Sequence, residues 1–304
     1  MPLRREGWSF LETVAAVQLT NITKRFGKVV ANDRISMEIR RGEILSLLGE
    51  NGSGKTTLMN MLAGIYFPDE GEIRVNGKPV TIASPKDAFA CGIGMIHQHF
   101  KLVDVFTAAE NIVLGLEDEG KLDLKAASAR ITDICQKYGF VIDPGKKVYD
   151  MSVSEKQTVE IVKVLYRGAD ILILDEPTAV LTPQETDRLF DVMRNMKADG
   201  KAMVIITHKL HEVMDVSDRV AVLRKGRYIG DVATKDTSPQ ALTDMMVGHA
   251  VTLNINRPDP KDPATWRGRV YDMTALVQLD EIVHLLAERG DPDPKKTIDC
   301  LLAL

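Results

Sequence analysis

The sequence is poor in several features that define whole classes of protein. Its 304 residues include three cysteines, Cys91, Cys135 and Cys300, and no C-x-x-C pair. A disulfide framework or a cysteine zinc site is therefore not expected, and a reducing compartment fits this pattern. No stretch approaches the roughly 18 consecutive apolar residues of a membrane-spanning helix.

Aromatic side chains and net charge are also scarce. Phe, Trp and Tyr make up 5% of the chain, and the formal net charge is -4. Proteins that bind nucleic acid usually offer basic residues to the phosphates and aromatic platforms to the bases. Nucleic acid is therefore not an expected partner. The remaining composition, 44% hydrophobic and 27% charged, is ordinary for a globular protein with a sizeable core.

Three ranges of the chain differ in character. Residues 1–13 read as a short leader, whose mildly apolar part is interrupted by Glu12 and Thr13. Residues 14–250 open with two alternating, strand-like segments and continue with strands that alternate with amphipathic helices. This pattern predicts an α/β fold with a mostly parallel core sheet covered on both faces. Residues 251–304 read as a proline-containing linker and one short amphipathic helix, too little for an independent core.

Local patterns place several elements more closely. "EILSLLG" reads as a buried strand that leads into a helix from Lys55, and Asn76-Gly77 marks the turn of a hairpin. Residues 108–138 are expected to be helical. "VMDVSDRVAVLRKGRYIG", at 213–230, is expected to consist of strands and a turn.

The motif "GENGSGKTT" has the form G-x-x-x-x-G-K-[ST]. Its glycines let backbone N–H groups surround a phosphate, and the helix that begins there turns its positive end toward the anion. Lys55 would reach the β- and γ-phosphates, and the Thr56 hydroxyl would bind Mg²⁺. The alternative is a plain glycine turn, but strand and helix stand where the motif requires them. The predicted nucleotide-binding residues are Gly49, Glu50, Asn51, Gly52, Ser53, Gly54, Lys55, Thr56 and Thr57.

"ILILDEP" ends a second buried strand in two carboxylates. Asp175 is predicted to hold Mg²⁺ near Thr56, directly or through water. Glu176 is predicted to orient and deprotonate an attacking water. The alternative is that the pair only caps the segment before Pro177, an effect of about 1 kcal/mol.

Two further strands end in polar side chains. "MIHQHF" places Gln98 at a strand end, where its amide would touch Mg²⁺ and the attacking water. "VIITH" places His208 at another, where it would bond to the γ-phosphate or the water. In a parallel sheet, such strand ends line the ligand crevice. His97 and His99 form an H-x-H pair, for which no third metal ligand is evident.

Taken in this order, the motifs resemble those of the ATP-binding-cassette (ABC) ATPases. The resemblance covers about residues 14–250 and rests on Phe26, the phosphate loop, Gln98, "MSVSEKQ", "ILILDEP" and His208. It implies ATP and Mg²⁺ as cofactors, Phe26 as the residue that stacks on adenine, an antiparallel β subdomain and an α-helical subdomain. "HQHFKLVDVFTAAENIVLG", "YRGADILILDEPTAVLTPQE" and "MMVGH" are similar to the cassettes of carbohydrate and nucleoside uptake systems, and in particular to the first cassette of a tandem pair.

The resemblance also gives a role to "MSVSE", which begins an amphipathic helix. In the ABC family this loop is usually L-S-G-G-Q, and it contacts the γ-phosphate of ATP held by an opposing cassette. Ser152 and Ser154 are therefore predicted to contact nucleotide bound by a partner, and a helix N-terminus with a hydroxyl suits that role. The alternative is a capping box, because Ser152 and Glu155 fit the pattern S-x-x-E.

The chain departs from the family pattern at several points. Val153 and Ser154 stand in place of the two usual glycines and restrict the approach of backbone to a phosphate. Thr182 stands where an aspartate usually follows "DEPT". No second phosphate loop follows Gly248, so the chain is expected to be a first cassette without its tandem partner.

The resemblance as a whole implies an ATPase that energises import of a sugar or nucleoside. The implied location is peripheral, at the cytoplasmic face of the inner membrane. The implied partners are a second cassette from the same or another chain, transmembrane permease subunits and, indirectly, an extracytoplasmic solute-binding protein. Two alternatives stay open: an ABC protein acting on ribosomes or DNA, and a fragment that binds ATP without turnover.

Overall fold

A computed structural model describes residues 15–98, 100–116 and 123–248. The predicted leader and the predicted linker and tail lie outside the described residues. The strands are β1 (Ala15–Phe26), β2 (Val29–Arg40), β3 (Ile44–Leu48), β4 (Glu70–Val75), β5 (Lys78–Val80), β6 (Ile93–Ile96), β7 (Ile171–Asp175), β8 (Ala202–Ile206), β9 (Arg219–Arg224) and β10 (Arg227–Ala233). The helices are α1 (Lys55–Leu62), α2 (Pro85–Ala90), α3 (Ala108–Val113), α4 (Leu124–Tyr138), α5 (Val153–Tyr166), α6 (Pro183–Ala198), α7 (Leu210–Val216) and α8 (Pro239–Val247).

These strands form two sheets. The first is antiparallel with the order β2-β1-β4-β5, and the second has the order β10-β9-β3-β8-β7-β6. In the second sheet β3, β6, β7, β8 and β9 run parallel, and only the edge strand β10 is antiparallel. The predicted α/β fold, with a mostly parallel core sheet and an antiparallel β subdomain, is therefore confirmed.

The central sheet is buried on both faces, as β7 illustrates. Leu172 and Leu174 pack into a core formed with α3, α4, α5 and α6. Ile171 and Ile173 point to the opposite face and pack into a second core, which includes residues of α1 and of the antiparallel sheet. Alternate side chains of a strand face opposite sides of a sheet, so a strand covered on both sides is apolar throughout.

Local expectations agree with the structure at the hairpin and at the helices, and they fail at residue 213. Strands β4 and β5 pair in antiparallel register across Asn76-Gly77, so the predicted hairpin is confirmed. Helices α3 and α4 fall within the range expected to be helical. The expectation of strands from residue 213 is wrong, because α7 continues to Val216. Val213 and Val216 lie three residues apart and are both buried, which is the spacing of one helix face.

The strand ends bring distant residues together. Because β3, β6, β7 and β8 are parallel, their carboxyl ends meet at one edge of the sheet. The phosphate loop follows β3, Gln98 follows β6, Asp175 ends β7 and His208 follows β8. None of the helices in the described ranges combines the length and apolar character needed to cross a bilayer.

Candidate functional site

A cavity of about 570 Å³ opens at the carboxyl edge of the central sheet. It is lined by Val29, Val30, Ala31, Asn51, Gly52, Ser53, Gly54, Lys55, Thr56, Thr57, Gln98, Asp175, Glu176, Ile206, Lys225 and Gly226. Most of the predicted phosphate loop and both carboxylates therefore share one cavity with Gln98. The arrangement provides backbone N–H groups, the ammonium groups of Lys55 and Lys225 and a set of oxygen ligands, which is what a polyphosphate with a divalent cation requires.

The end of the phosphate loop requires glycine. Gly54 has φ 95° and precedes the first residue of α1 without any side-chain cap. A Cβ atom at this position would lie 2.3 Å from the carbonyl oxygen of Ala31 and 2.6 Å from the Asn32 amide. The amide Nδ2 of Asn32 donates to the Gly54 carbonyl at 3.1 Å. The loop therefore packs tightly against β2, and its shape depends on the missing side chain.

Lys55 is held inside the phosphate loop. Its Nζ donates to the carbonyl oxygens of Gly49 at 2.7 Å and Glu50 at 2.9 Å. Burial lowers the pKa of Lys55, while the nearby charges of Glu176 and Asp175 act in the opposite direction. Because the carbonyl groups fix the ammonium within the cradle, its charge is available to an anion bound there.

The residues predicted to hold Mg²⁺ offer a consistent set of ligands. Thr56, Gln98 and Asp175 all line the cavity and would present oxygen atoms, which Mg²⁺ prefers. Burial and the neighbouring Glu176 raise the pKa of Asp175, whereas Lys55 and a hydrogen bond with Thr56 lower it. A cation next to Asp175 would favour its ionised form, so these residues fit Mg²⁺.

Within residues 15–98, 100–116 and 123–248, no group of three or more His, Cys, Asp or Glu side chains is arranged to hold a metal. His99, one half of the H-x-H pair, lies outside these ranges.

Glu176 and His208 meet across two neighbouring strand ends. The Glu176 carboxylate Oε1 lies 3.0 Å from His208 Nδ1. The backbone of Glu176 has φ 47°, and its N–H donates to the carbonyl oxygen of Ile206 at 2.9 Å. Non-glycine residues rarely adopt this conformation, and it persists only where the surroundings fix it. The His208 side chain is 61% exposed, and His208 is not among the residues that line the cavity, so its contact with the γ-phosphate or the water stays a prediction.

Phe26, predicted to stack on adenine, lies at the end of β1. Its ring is 43% exposed, makes an edge-to-face contact with Tyr66 at 5.2 Å and lies 5.5 Å from the Lys24 ammonium. Phe26 is not among the residues that line the cavity, although Val29 and Val30 of the next strand are. Its stacking role stays a prediction.

Ser152 and Ser154 lie elsewhere. They line a separate cavity with residues of α4, α5 and α6, so this chain does not bring them to its own phosphate loop. Ser152 and Glu155 form the capping box: the Ser152 Oγ accepts from the Glu155 N–H at 3.3 Å, and the Ser152 N–H donates to Glu155 Oε2 at 2.7 Å. Lys146 pairs with the same carboxylate at 2.7 Å. Both the Lys146 bond and the Ser152 N–H lower the Glu155 pKa.

Sequence reasoning missed the turn between β9 and β10 as part of the site. Lys225 and Gly226 line the cavity, and the Gly226 N–H donates to the Ser53 carbonyl at 3.1 Å. The Asp33 N–H donates in turn to the Gly226 carbonyl at 2.8 Å. The Lys-Gly pair does signal a turn, but nothing local indicates which loop that turn touches.

Comparisons with known proteins identify similar chains. The family described as ABC transporter matches residues 32–179. The nucleoside import ATP-binding protein NupA of Lactococcus lactis subsp. cremoris is 50% identical over 255 residues, 83% of this chain and 50% of NupA. The ribose import ATP-binding protein RbsA 1 of Burkholderia thailandensis is 43% identical over 275 residues, 90% of this chain and 52% of its own. This chain thus spans about half the length of these relatives.

A solved structure agrees on the fold. The crystal structure of the ADP conformation of MJ1267, an ATP-binding cassette of an ABC transporter, superposes with a TM-score of 0.68 at 24% identity. The match covers 78% of this chain and 100% of MJ1267. At this level of identity the likeness establishes the fold alone.

Proposed function

We propose, from the premise that this chain belongs to the ABC transporter family, that it binds ATP at the phosphate-loop cavity and hydrolyses it to ADP and phosphate. One observation carries the proposal: Lys55 after β3, Gln98 after β6, and Asp175 and Glu176 at the end of β7 line one cavity. A phosphate-binding loop alone would support nucleotide binding only. The carboxylates beside it add groups that can hold Mg²⁺ and take a proton from water.

Each group has a role that follows from its position. The backbone of the phosphate loop and Lys55 bind the β- and γ-phosphates. Thr56, Gln98 and Asp175 would hold Mg²⁺, which offsets phosphate charge when bound. Glu176 orients a water for attack on the γ-phosphorus and accepts its proton. His208, hydrogen-bonded to Glu176, keeps that carboxylate in place and reaches the γ-phosphate.

The position of Ser152 supports a site shared between two cassettes. Ser152 and Ser154 face a different cavity from the phosphate loop of their own chain. They would therefore complete the site of an opposing cassette, and that cassette would complete this one. ATP would then be enclosed between the two, and hydrolysis would allow them to separate.

Import is the process that this cycle would drive. The relatives named above are nucleoside and ribose import proteins, so the proposed solute is a nucleoside or a sugar. The proposed partners are a second cassette and membrane permease subunits, with a solute-binding protein acting indirectly. The chain would work as a peripheral subunit at the cytoplasmic face of the membrane.

The test is the ATPase activity of the full chain over a range of protein concentrations. A shared site requires association, so we expect specific activity to rise with concentration and then level off. Hydrolysis that is independent of concentration would contradict the shared site. ATP binding without any hydrolysis would contradict the ATPase. Co-purification in detergent should recover a polytopic membrane protein, and recovery of ribosomes instead would overturn the import proposal.

A further inference from the structure

A buried cluster joins α7 to the segment that follows β7. The Thr178 hydroxyl donates to Glu212 Oε2 at 2.6 Å, and the Lys209 ammonium lies 2.9 Å from Glu212 Oε1. Lys209 Nζ also donates to the Thr178 carbonyl oxygen at 2.9 Å. The Glu212 side chain is only 6% exposed, and Thr178 is buried. Three polar groups therefore satisfy one another in a place where an unpaired carboxylate would be costly.

The cluster is adjacent in sequence to the pair formed by Glu176 and His208. Thr178 is two residues after Glu176, and Lys209 is the residue after His208. The Lys209 N–H donates to the Thr207 hydroxyl at 3.1 Å, which fixes the backbone beside His208. The cluster thus joins the two segments that carry the pair, and none of its three residues is among those that line the cavity.

Glu176 needs such a support. Its backbone has φ 47°, a conformation that a non-glycine residue keeps only when its surroundings fix it. The hydrogen bond from its N–H to Ile206 anchors one side of the residue. The bonds that reach Thr178 anchor the other side, and Glu212 is the group that both Thr178 and Lys209 contact.

We propose that Glu212 is a positioning residue, which holds the segments after β7 and β8 together and so sets the geometry of the Glu176–His208 pair. This inference rests on the proposed ATP hydrolysis, in which that pair acts on the attacking water. Glu212 itself is not among the residues that line the cavity, so it acts through Thr178 and Lys209.

A purely local role makes a different prediction. Glu212 lies in the first turn of α7, where a carboxylate interacts favourably with the helix dipole. If that were its whole effect, its loss would lower stability slightly and leave the pair unchanged. The experiment must therefore measure the geometry of the Glu176–His208 pair as well as the stability of the fold.

The test compares Glu212→Ala and Glu212→Gln with the control Asp170→Asn in the full chain. Asp170 and Lys201 immediately precede β7 and β8 and form an ion pair at 2.6 Å, so the control removes a carboxylate charge from a similar pair at the edge of the sheet opposite the cavity. We expect Glu212→Ala to lower kcat by about 10- to 100-fold, because a small misplacement of reacting groups is costly. Its ATP affinity should stay within about twofold, since the phosphate loop is untouched.

The Glu212→Gln variant keeps an oxygen that accepts a hydrogen bond and should retain kcat within about threefold. The second readout is the ¹⁵N spectrum of the His208 imidazole, assigned by its loss in His208→Ala. Glu212→Ala should shift these resonances, whereas Glu212→Gln and the control should leave them in place. Unchanged resonances, or an unchanged kcat in a hydrolysing protein, would overturn the proposal.

The two readouts separate failure of this inference from failure of the proposed function. A wild-type chain without hydrolysis would reject the ATPase, and the His208 spectrum would still decide whether Glu212 positions the pair. If Glu212→Ala does not fold, Thr178→Val and Thr178→Ser decide instead. Thr178→Val replaces the hydroxyl with a methyl group and should shift the His208 resonances. Thr178→Ser keeps the hydroxyl and should leave them in place. Equal spectra for the two variants would reject the proposal.

Discussion

Two helix N-termini of this protein differ in how their backbone N–H groups are satisfied. The N-terminus of α1 follows Gly54, has no side-chain cap and has no acidic residue in its first turn. The N-terminus of α5 is closed by Ser152 and Glu155, whose carboxylate also pairs with Lys146. A helix leaves its first N–H groups without internal partners, so an external anion can bind there only if the chain itself does not.

The comparison indicates that the two halves of the proposed shared site are not equally developed. The half built on α1 leaves its N–H groups available and surrounds them with Lys55, Asp175 and Glu176. The half built on α5 already uses its own Glu155 carboxylate and Ser152 hydroxyl to satisfy two N–H groups at the helix end. This chain should therefore be better at holding ATP than at completing the site of another cassette.

The largest expected effect comes from Glu176→Gln, which tests whether the α1 half is a working site. The amide keeps the size of the side chain but cannot accept the proton of water, so hydrolysis should fall by about 10²- to 10⁴-fold. ATP should still bind, and a closed pair of cassettes should accumulate in gel filtration with ATP and Mg²⁺. Unchanged hydrolysis in this variant would show that Glu176 is not the base, and it would contradict the conclusion that the half built on α1 is the better developed one.

The next effect comes from Gly54→Ala, which tests whether the shape of the phosphate loop matters. The added Cβ would collide with the Ala31 carbonyl, so ATP affinity should fall by about tenfold or more. Calorimetric titration with ATP measures the change. Gly168→Ala is the matched control, because Gly168 also has positive φ and no atom lies within 4 Å of its Cβ position. Equal affinities in the two variants would contradict the tight packing of the loop.

The smallest effect comes from Ser154→Gly, which tests whether side chains at the N-terminus of α5 limit its contact with a phosphate. Removing the side chain also removes its contact with Ser152 at 3.2 Å and lets backbone approach a phosphate more closely. At saturating protein concentration we expect specific activity to rise by about threefold or less, because Glu155 still closes the helix end. Ser128→Gly in α4 carries a similar helix cost away from both halves. A similar change in the Ser128 variant would remove the link to the α5 half.

The parts that could be predicted from sequence are those whose cause is local. The apolar runs of β3, β7 and β8 identify buried strands, and "GENGSGKTT" carries its own loop geometry. The wrong expectation for 213–216 arose because four residues with two valines do not distinguish a helix from a strand. Helices α2 and α8 were not foreseen, although each begins with a serine cap followed by proline.

The missed parts of the site depend on partners far away in the chain. Asn32 is buried and donates a hydrogen bond to Gly54. Lys225, which is far from the phosphate loop in sequence, lines the phosphate-loop cavity. Neither residue stands in a motif. Which strand lies beside β3 is decided by packing of the whole sheet, and no window of sequence contains that information.

The neighbours of β3 have a consequence for synthesis on the ribosome. β3 and its loop are translated early, yet the strands on either side of it are β8 and β9, and the turn after β9 bonds to Ser53. Such long-range pairing is slow, since a large loop of chain must close before it forms. Nascent chains that stop between residues 208 and 219 would carry every motif of the nucleotide site without β9 and the turn that bonds to Ser53, which makes them candidates for chaperone binding and degradation.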